Sequence, residues 1–349
     1  KIMSLVLAGA MVLSMTACAG NTAETTSAAA KTQETAADTA SKAEETTGAE
    51  ASESETAAKA EGTIYKIGVL QLVQHTALDA ANDGFIAALD DAGIAYEVDQ
   101  QNASGDQSAC QTVASKFANE KKDLILAIAT PAAQAMVGAV EDTPVLITAV
   151  TDPAESGLVD TNEKPGANVT GTSDLTPVKE QIDLLKQLVP EAKTVGVLYC
   201  SAESNSKIQA DMAKEAIAAA GMESKEYTVS SSNEIQTVVQ SMVGAVDAVY
   251  APTDNVIAAG MATVGMVAGD NNLPVICGEA GMVQNSGLAT YGIDYYQLGY
   301  MTGQQAVKIL TEGASPADMP IEYLPAEKCE LTVNEETAQT LGIDVSGLK

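Results

Sequence analysis

Short apolar runs alternate with helical patterns from residue 64 to residue 312. The run "YKIGVLQL" (65–72) is strand-like. Behind it Leu78, Ala81, Phe85, Leu89 and Ala92 recur every three or four residues, the stripe of a half-buried helix. "DLILAIA" and "PVLITAV" follow, each closing on polar or turn-forming residues. Strand-length runs that are apolar throughout, set between helices, are the pattern of parallel strands covered on both faces. The predicted fold class is therefore α/β.

A second round begins near residue 176. Thr176 is placed to cap a helix with Pro177 at its first position, and Val178, Ile182, Leu185 and Val189 form the stripe. "TVGVLYC" then leads to a helix carrying Ile208, Met212, Ala216 and Ala219, and on to "AGMESKEYTV". The two rounds correspond. "KIGVLQ" runs to "AGIAYEV" with Gly68 and Gly93 twenty-five residues apart, and "TVGVLY" runs to "AGMESKEY" with Gly196 and Gly221 at the same separation. "DLILAIATP" matches "DAVYAPTD", and "TPVLITAVTDP" matches "LPVICGEAG". One α/β unit is duplicated, so two similar doubly wound lobes are expected. Ligands of such sheets gather beyond the carboxyl ends of the strands. Two lobes that face each other with those ends enclose a cleft.

The flanking N-terminal sequence is of another kind. "KIMSLVLAGAMVLSMTACAG" has a basic start, an apolar stretch too short to span a bilayer, and small residues before Cys18. Its "MTAC" resembles the bacterial lipobox, so residues 1–17 are expected to be a lipoprotein signal peptide and Cys18 to carry the lipid. From there to residue 62 the chain is Ala, Thr, Glu, Ser and Lys with almost nothing to bury, and is expected to be a disordered tether.

Composition then removes several functions. A formal net charge of −29 argues against nucleic acid and against anionic membrane surfaces as partners. The sequence has one histidine, no tryptophan and no arginine, which excludes a His-rich metal site, a tryptophan platform and an arginine clamp. Cys110, Cys200, Cys277 and Cys329 lack CxxC spacing, so no zinc and no other cofactor is expected, while a disulfide stays open in an exported protein. No nucleophile, base and orienting acid recur together, and no enzyme is expected.

The polar residues just after the apolar runs are the candidate ligand contacts: Gln71 and His75, Thr130, Thr151 and Asp152, then Ser204, Asn205, Asp254 and Glu279. Thr130 before Pro131 opens a helix whose free N–H groups suit a carboxylate, and reads equally as a plain cap. Asp254 suits an ammonium group and again reads as a cap. Tyr291, after "GLAT", is the aromatic candidate for stacking on a ligand.

These residues lie within a wider likeness. "GFIAALDDAGI", "ATPAAQA", "VTDPAESGLV", "NVTGTSDL", "PTDNVIA" and "ATYGIDYYQLGYMTGQQAVKIL", in this order over residues 64–349, resemble the ABC-transporter solute-binding lipoproteins of the tryptophan and tyrosine type. The resemblance implies a type I periplasmic-binding fold with three hinge crossings, near 170–176, 289–292 and 315–322. It divides the chain into an N-lobe (63–172 plus 291–316) and a C-lobe (173–290 plus 317–349). It also implies an aromatic amino acid in the cleft, and docking of the closed form on a membrane permease driven by an ATPase. A lipid-anchored, extracytoplasmic monomer is expected; a sugar or nucleoside receptor, and a surface adhesin or sensor partner, are the alternatives.

Overall fold

The computed structural model describes residues 62–348, apart from the side chain of Ala326. The expected signal peptide, Cys18 and the tether up to residue 61 lie outside the described residues. The first round consists of β1 (Tyr65–Gln71), α1 (Thr76–Asp91), β2 (Tyr96–Asn102), α2 (Gln107–Glu120), β3 (Leu124–Ile128), α3 (Thr130–Val137), β4 (Val145–Val150) and β5 (Val169–Ser173). The second comprises α4 (Val178–Leu188), β6 (Thr194–Cys200), α5 (Ser204–Ala219), β7 (Glu223–Val229), α6 (Ile235–Met242) and β8 (Ala248–Ala251). It continues through α7 (Asn255–Ala259), α8 (Met261–Asp270), β9 (Val275–Cys277), α9 (Ala280–Gln284) and β10 (Ala289–Gly292). The chain ends in α10 (Tyr295–Val307), β11 (Glu322–Tyr323), β12 (Glu330–Val333) and α11 (Glu335–Leu341).

Two six-stranded sheets result, in the orders β11-β5-β4-β3-β1-β2 and β12-β10-β9-β8-β6-β7. The orders match position by position, as a duplicated unit requires. The paired glycines carry the same roles in both copies. A Cβ on Gly68 would strike the ring of Phe117, and one on Gly196 would strike Met242, so each strand passes close under a helix. Gly93 and Gly221 follow α1 and α5 with φ of +65° and +75°, left-handed positions that favour glycine. Pairing is parallel except at one edge, where β12 runs antiparallel to β10.

β3 and β4 are buried along their whole length, which is why their sequences are unbroken apolar runs. β2 and β7 lie at the sheet edges and mix exposed with half-buried positions. Cys110, Cys200 and Cys277 are buried among apolar side chains, and all four described cysteines are unpaired. Among the described residues no helix is long and apolar enough to cross a membrane.

Two local expectations change. Pro177 sits at the N-cap of α4 with ψ of 76° and no side-chain cap forms. Thr176 instead points its hydroxyl at Gln209 Oε1, 3.4 Å away. The third crossing also moves. Glu322 and Tyr323 pair with Thr172 and Ser173, and Thr170 Oγ donates to the Met319 carbonyl at 2.7 Å. Those contacts hold the chain on the first sheet as far as Tyr323, so residues 317–323, expected in the second lobe, belong to the first.

After β10 the chain returns to the first lobe as α10, which lies along α1 with the two backbones almost touching. Gly84 faces the Tyr296 carbonyl, Gly299 the Ala81 carbonyl and Gly303 the Phe85 carbonyl, leaving no room for a Cβ at any of the three. This packing carries Tyr295 to the space between the lobes.

Candidate functional site

The carboxyl ends of β3 and β4 are held in backbone conformations that residues with side chains rarely adopt. Ala129 has φ +83° and ψ 152°, and Ala149 has φ +55°. Each such residue costs roughly 1–3 kcal/mol and is retained where surrounding structure imposes it. The β4–β5 ladder is also irregular between Ile147 and Val150, which re-aims the strand end. Ala149 borders a tight cavity, about 10 Å³, between the lobes. His75, Leu78 and Tyr295 complete the first-lobe wall, and Asp174 enters from the first crossing. The second lobe contributes Asn205, Thr253, Asp254, Asn255, Ala258 and Glu279. A wider recess of about 600 Å³, between the loops at 104–107 and 230–233, shares Asn255 with this cavity.

The lobes are tied across the cleft. His75 Nε2 lies 3.1 Å from Asn255 Oδ1, Gln209 Nε2 donates to Thr151 Oγ at 2.9 Å, and Gln107 Nε2 donates to the Ala202 carbonyl at 3.1 Å.

Three buried carboxylates, Asp174, Asp254 and Glu279, line the cavity, a fourth, Glu203, lies behind Asn205 and Asn255, and the ion pairs of the described residues all lie elsewhere. Asp254 accepts from the Cys200 and Ile257 N–H groups at 2.5 and 2.8 Å, so it both caps α7 and anchors the end of β6. Glu279 caps α9 through the Gly281 and Met282 N–H groups. Glu203 accepts from the N–H groups of Asn255 and Val256 and from the Asn255 and Asn205 amides. Asp174 differs. One oxygen accepts from the Tyr295 hydroxyl at 2.8 Å, and the other, Oδ1, has no partner.

Burial raises the proton affinity of all four acids: it pushes Asp174 up to about 6 and Glu279 to about 7. Burial together with the Asp254 charge takes Glu203 to about 8, and burial raises Asp254 as well. Burial lowers His75, which holds the imidazole neutral.

Two further cavity side chains have an unpartnered atom, His75 Nδ1 and Asn205 Oδ1. The Asn205 NH₂ is already turned to Glu203, Ser206 and Thr253, leaving its carbonyl oxygen free. His75 Nε2 meets an amide oxygen and so carries the proton, which leaves Nδ1 bare. With Asp174 Oδ1, that makes three buried acceptors around one cavity in an acidic setting. A cationic group with several N–H donors is the complement of such a surface. At the carboxyl end of β3, α3 has no side-chain cap, and the buried Thr130 hydroxyl has no partner. A helix end of that kind suits an anion. Among the described residues no group of three His, Cys, Asp or Glu is arranged to hold a metal ion.

Of the sequence candidates, His75, Asn205, Asp254 and Glu279 stand on the cavity wall, although Asp254 and Glu279 spend their oxygens on backbone N–H groups. Thr130 is buried and unpartnered but is not in the wall of this cavity, and the rest are occupied elsewhere. Gln71 donates to the Val73 carbonyl and Asp79, and Asp152 organises the turn at 154–155 and receives Asn162. Thr151 receives Gln209, and Ser204 receives Gln134. Tyr291 packs into the second lobe beside the core of β6 and β8, so Tyr295 is the tyrosine at the cavity. Asp174 is not among the sequence candidates, and Tyr295 was passed over in favour of Tyr291. The signal for Asp174 was its place in "TSDL", immediately after a strand and inside an expected hinge crossing.

Comparison with known proteins agrees with this architecture. Residues 66–347 match the family described as ABC transporter substrate binding protein. A tyrosine-binding protein of Clostridioides difficile (strain R20291) is 45% identical over 279 residues, covering 79% of this chain and 80% of that protein. An ABC domain from Streptococcus pneumonia, solved in complex with L-Trp, aligns with a TM-score of 0.79 at 39% identity, over 82% of this chain and 97% of that one. A ligand-free, open substrate binding protein with adhesive properties from Clostridium difficile is 46% identical but aligns with a TM-score of only 0.63, over the same shares. The nearer sequence in its open form fits less well than the L-Trp complex. That is the result expected of a chain whose lobes are bridged as here.

Proposed function

We propose, for a chain that belongs to the family of ABC transporter substrate binding proteins, that the interlobe cleft, opened around this cavity, receives an aromatic L-amino acid and recognises it through its ammonium group. The fold is the type I periplasmic-binding fold, and the family takes a small-molecule ligand and works with an ABC permease. The observation that carries the ligand reading is the trio of unpartnered acceptors, His75 Nδ1, Asn205 Oδ1 and Asp174 Oδ1, in a cavity lined by three buried carboxylates that make no ion pair. Three acceptors match the three N–H bonds of an α-ammonium, and Asp174 supplies the charge. Thr130 and the uncapped start of α3 suit the α-carboxylate, without need of arginine. Leu78, Ala258 and Tyr295 supply apolar wall for a ring. The ligands of the relatives, tyrosine and L-Trp, support the same reading.

A ligand gripped by both lobes binds the closed state better than the open one, and so drives closure. The role is binding and delivery, with no bond made or broken. Family membership places the protein on the export route, and Cys18 is the residue we assign to the lipid anchor of a monomeric receptor.

A thermal-shift panel of the folded region against amino acids, nucleosides and sugars tests this, because a ligand specific to the native state raises its melting temperature. L-tyrosine or L-tryptophan is expected to give the largest rise. A rise with a sugar or nucleoside alone would overturn the reading.

A further inference from the structure

One carboxylate lies behind two of the three cavity acceptors. Glu203 ends the loop from β6 to α5 and is 3% exposed. All four hydrogen bonds to Glu203 come from N–H donors, so its oxygens serve as acceptors, and an amide beside it turns its NH₂ inward and its carbonyl oxygen away. Two amides obey this rule. Asn205 Nδ2 donates to Glu203 Oε2 at 3.2 Å, and Asn255 Nδ2 donates to the same oxygen at 2.6 Å. The Asn205 carbonyl oxygen is thereby the atom left without a partner in the cavity. The Asn255 oxygen meets His75 Nε2 of the other lobe at 3.1 Å. Since that oxygen cannot donate, the imidazole proton must sit on Nε2, and the Nδ1 lone pair is the one left unpartnered.

We infer that Glu203 is a positioning residue for ligand capture: by orienting the Asn205 amide directly, and His75 through Asn255, it turns both side chains into acceptors aimed at the cavity. Without that orientation either amide could present NH₂ instead, and a flipped Asn255 would move the imidazole proton to Nδ1. The cavity would then offer donors to an ammonium group and repel it. The His75–Asn255 contact also spans the cleft, so the orientation is completed only when the lobes meet. The inference rests on the ammonium reading of the cavity, and it adds the group that sets the acceptors.

The sequence contains a single histidine, so imidazole ¹⁵N spectroscopy of the full chain reports on His75 alone. In ligand-free wild type above about pH 8, where Glu203 is ionised, the expected signature is a protonated Nε2 and a bare Nδ1. Glu203→Gln places an amide, which donates as well as accepts, where the carboxylate was. It is expected to give mixed or reversed tautomers and about tenfold weaker binding of L-tyrosine. A protonated Nδ1 in the wild type would overturn the inference without any variant having to fold. So would a Glu203→Gln protein that melts lower but keeps the wild-type tautomer, since Glu203 would then be only a cap for α7. The tautomer is read without ligand. A failure there is therefore distinct from a failure of the ligand panel, which would remove the aromatic amino acid and leave the wiring of Glu203 in place.

Discussion

Asp174 and Asp254 border the same cavity and are almost equally buried, yet their oxygens meet different things. Asp254 receives two backbone N–H groups, whereas Asp174 has one oxygen on Tyr295 and one unpartnered. The two should therefore fail in different ways. Asp174→Asn keeps the shape and removes the charge, and is expected to raise the Kd for an aromatic amino acid ten- to a hundredfold, about 1.4–2.7 kcal/mol, with little loss of melting temperature. Asp254→Ala removes the cap of α7, worth about 1 kcal/mol, and strands the Cys200 N–H at a further cost of about 1–3 kcal/mol. It is expected to lower the melting temperature first, and calorimetry beside thermal melts separates the two outcomes. This distinction was not legible in the sequence. "PTDN" after an apolar run has the residues of a helix cap and of a ligand contact alike, and only the positions of the N–H groups decide. Asp174 shows the reverse case. Its place directly after the strand that ends at Ser173 was the one local mark, and its role arises from Tyr295, distant in sequence.

The elements were far more legible than their side chains. Equal spacing from Gly68 to Gly93 and from Gly196 to Gly221 read as a duplication, and the two sheets repeat one strand order because each copy needs the same close approach and the same left-handed helix end. The third crossing was misread because β11 has only two residues. A strand that short leaves no periodicity, and its place on the first sheet is set by contacts with Thr172 and Ser173. The α1–α10 pair is the element on which the site most depends, since it brings Tyr295 to Asp174. Gly299 has the Ala81 backbone against it, so Gly299→Ala must push the helices apart. It is expected to cost about 1–3 kcal/mol in stability and also to weaken ligand binding through the displaced tyrosine. Chemical denaturation and calorimetry on the same variant check both effects; full stability with normal binding would show that the helices can separate freely.

At the scale of the whole molecule the buried acids tie stability to pH. Asp174, Glu203 and Glu279, raised from ordinary values near 4 to about 6, 8 and 7, bind protons more tightly folded than unfolded. Between about pH 4.5 and pH 8 the folded protein therefore holds the extra protons, and the stability of the ligand-free protein is expected to fall as pH rises through that window. Below it both states are protonated and these groups contribute no slope. A cation in the cavity favours the ionised forms, so ligand uptake should release protons and tighten with rising pH over the same range. Melting curves from pH 5 to 8, and titrations in buffers of different ionisation enthalpy, measure the two signs. The central claim, that the cleft recognises an aromatic amino acid by its ammonium, is tested most directly by calorimetric titration of the wild-type protein with L-tyrosine and with its deaminated counterpart, 3-(4-hydroxyphenyl)propionate. Saturable one-site binding of the amino acid is expected, with at least a hundredfold loss for the analogue, about 2.7 kcal/mol. Equal binding of both, or binding of neither, would contradict it.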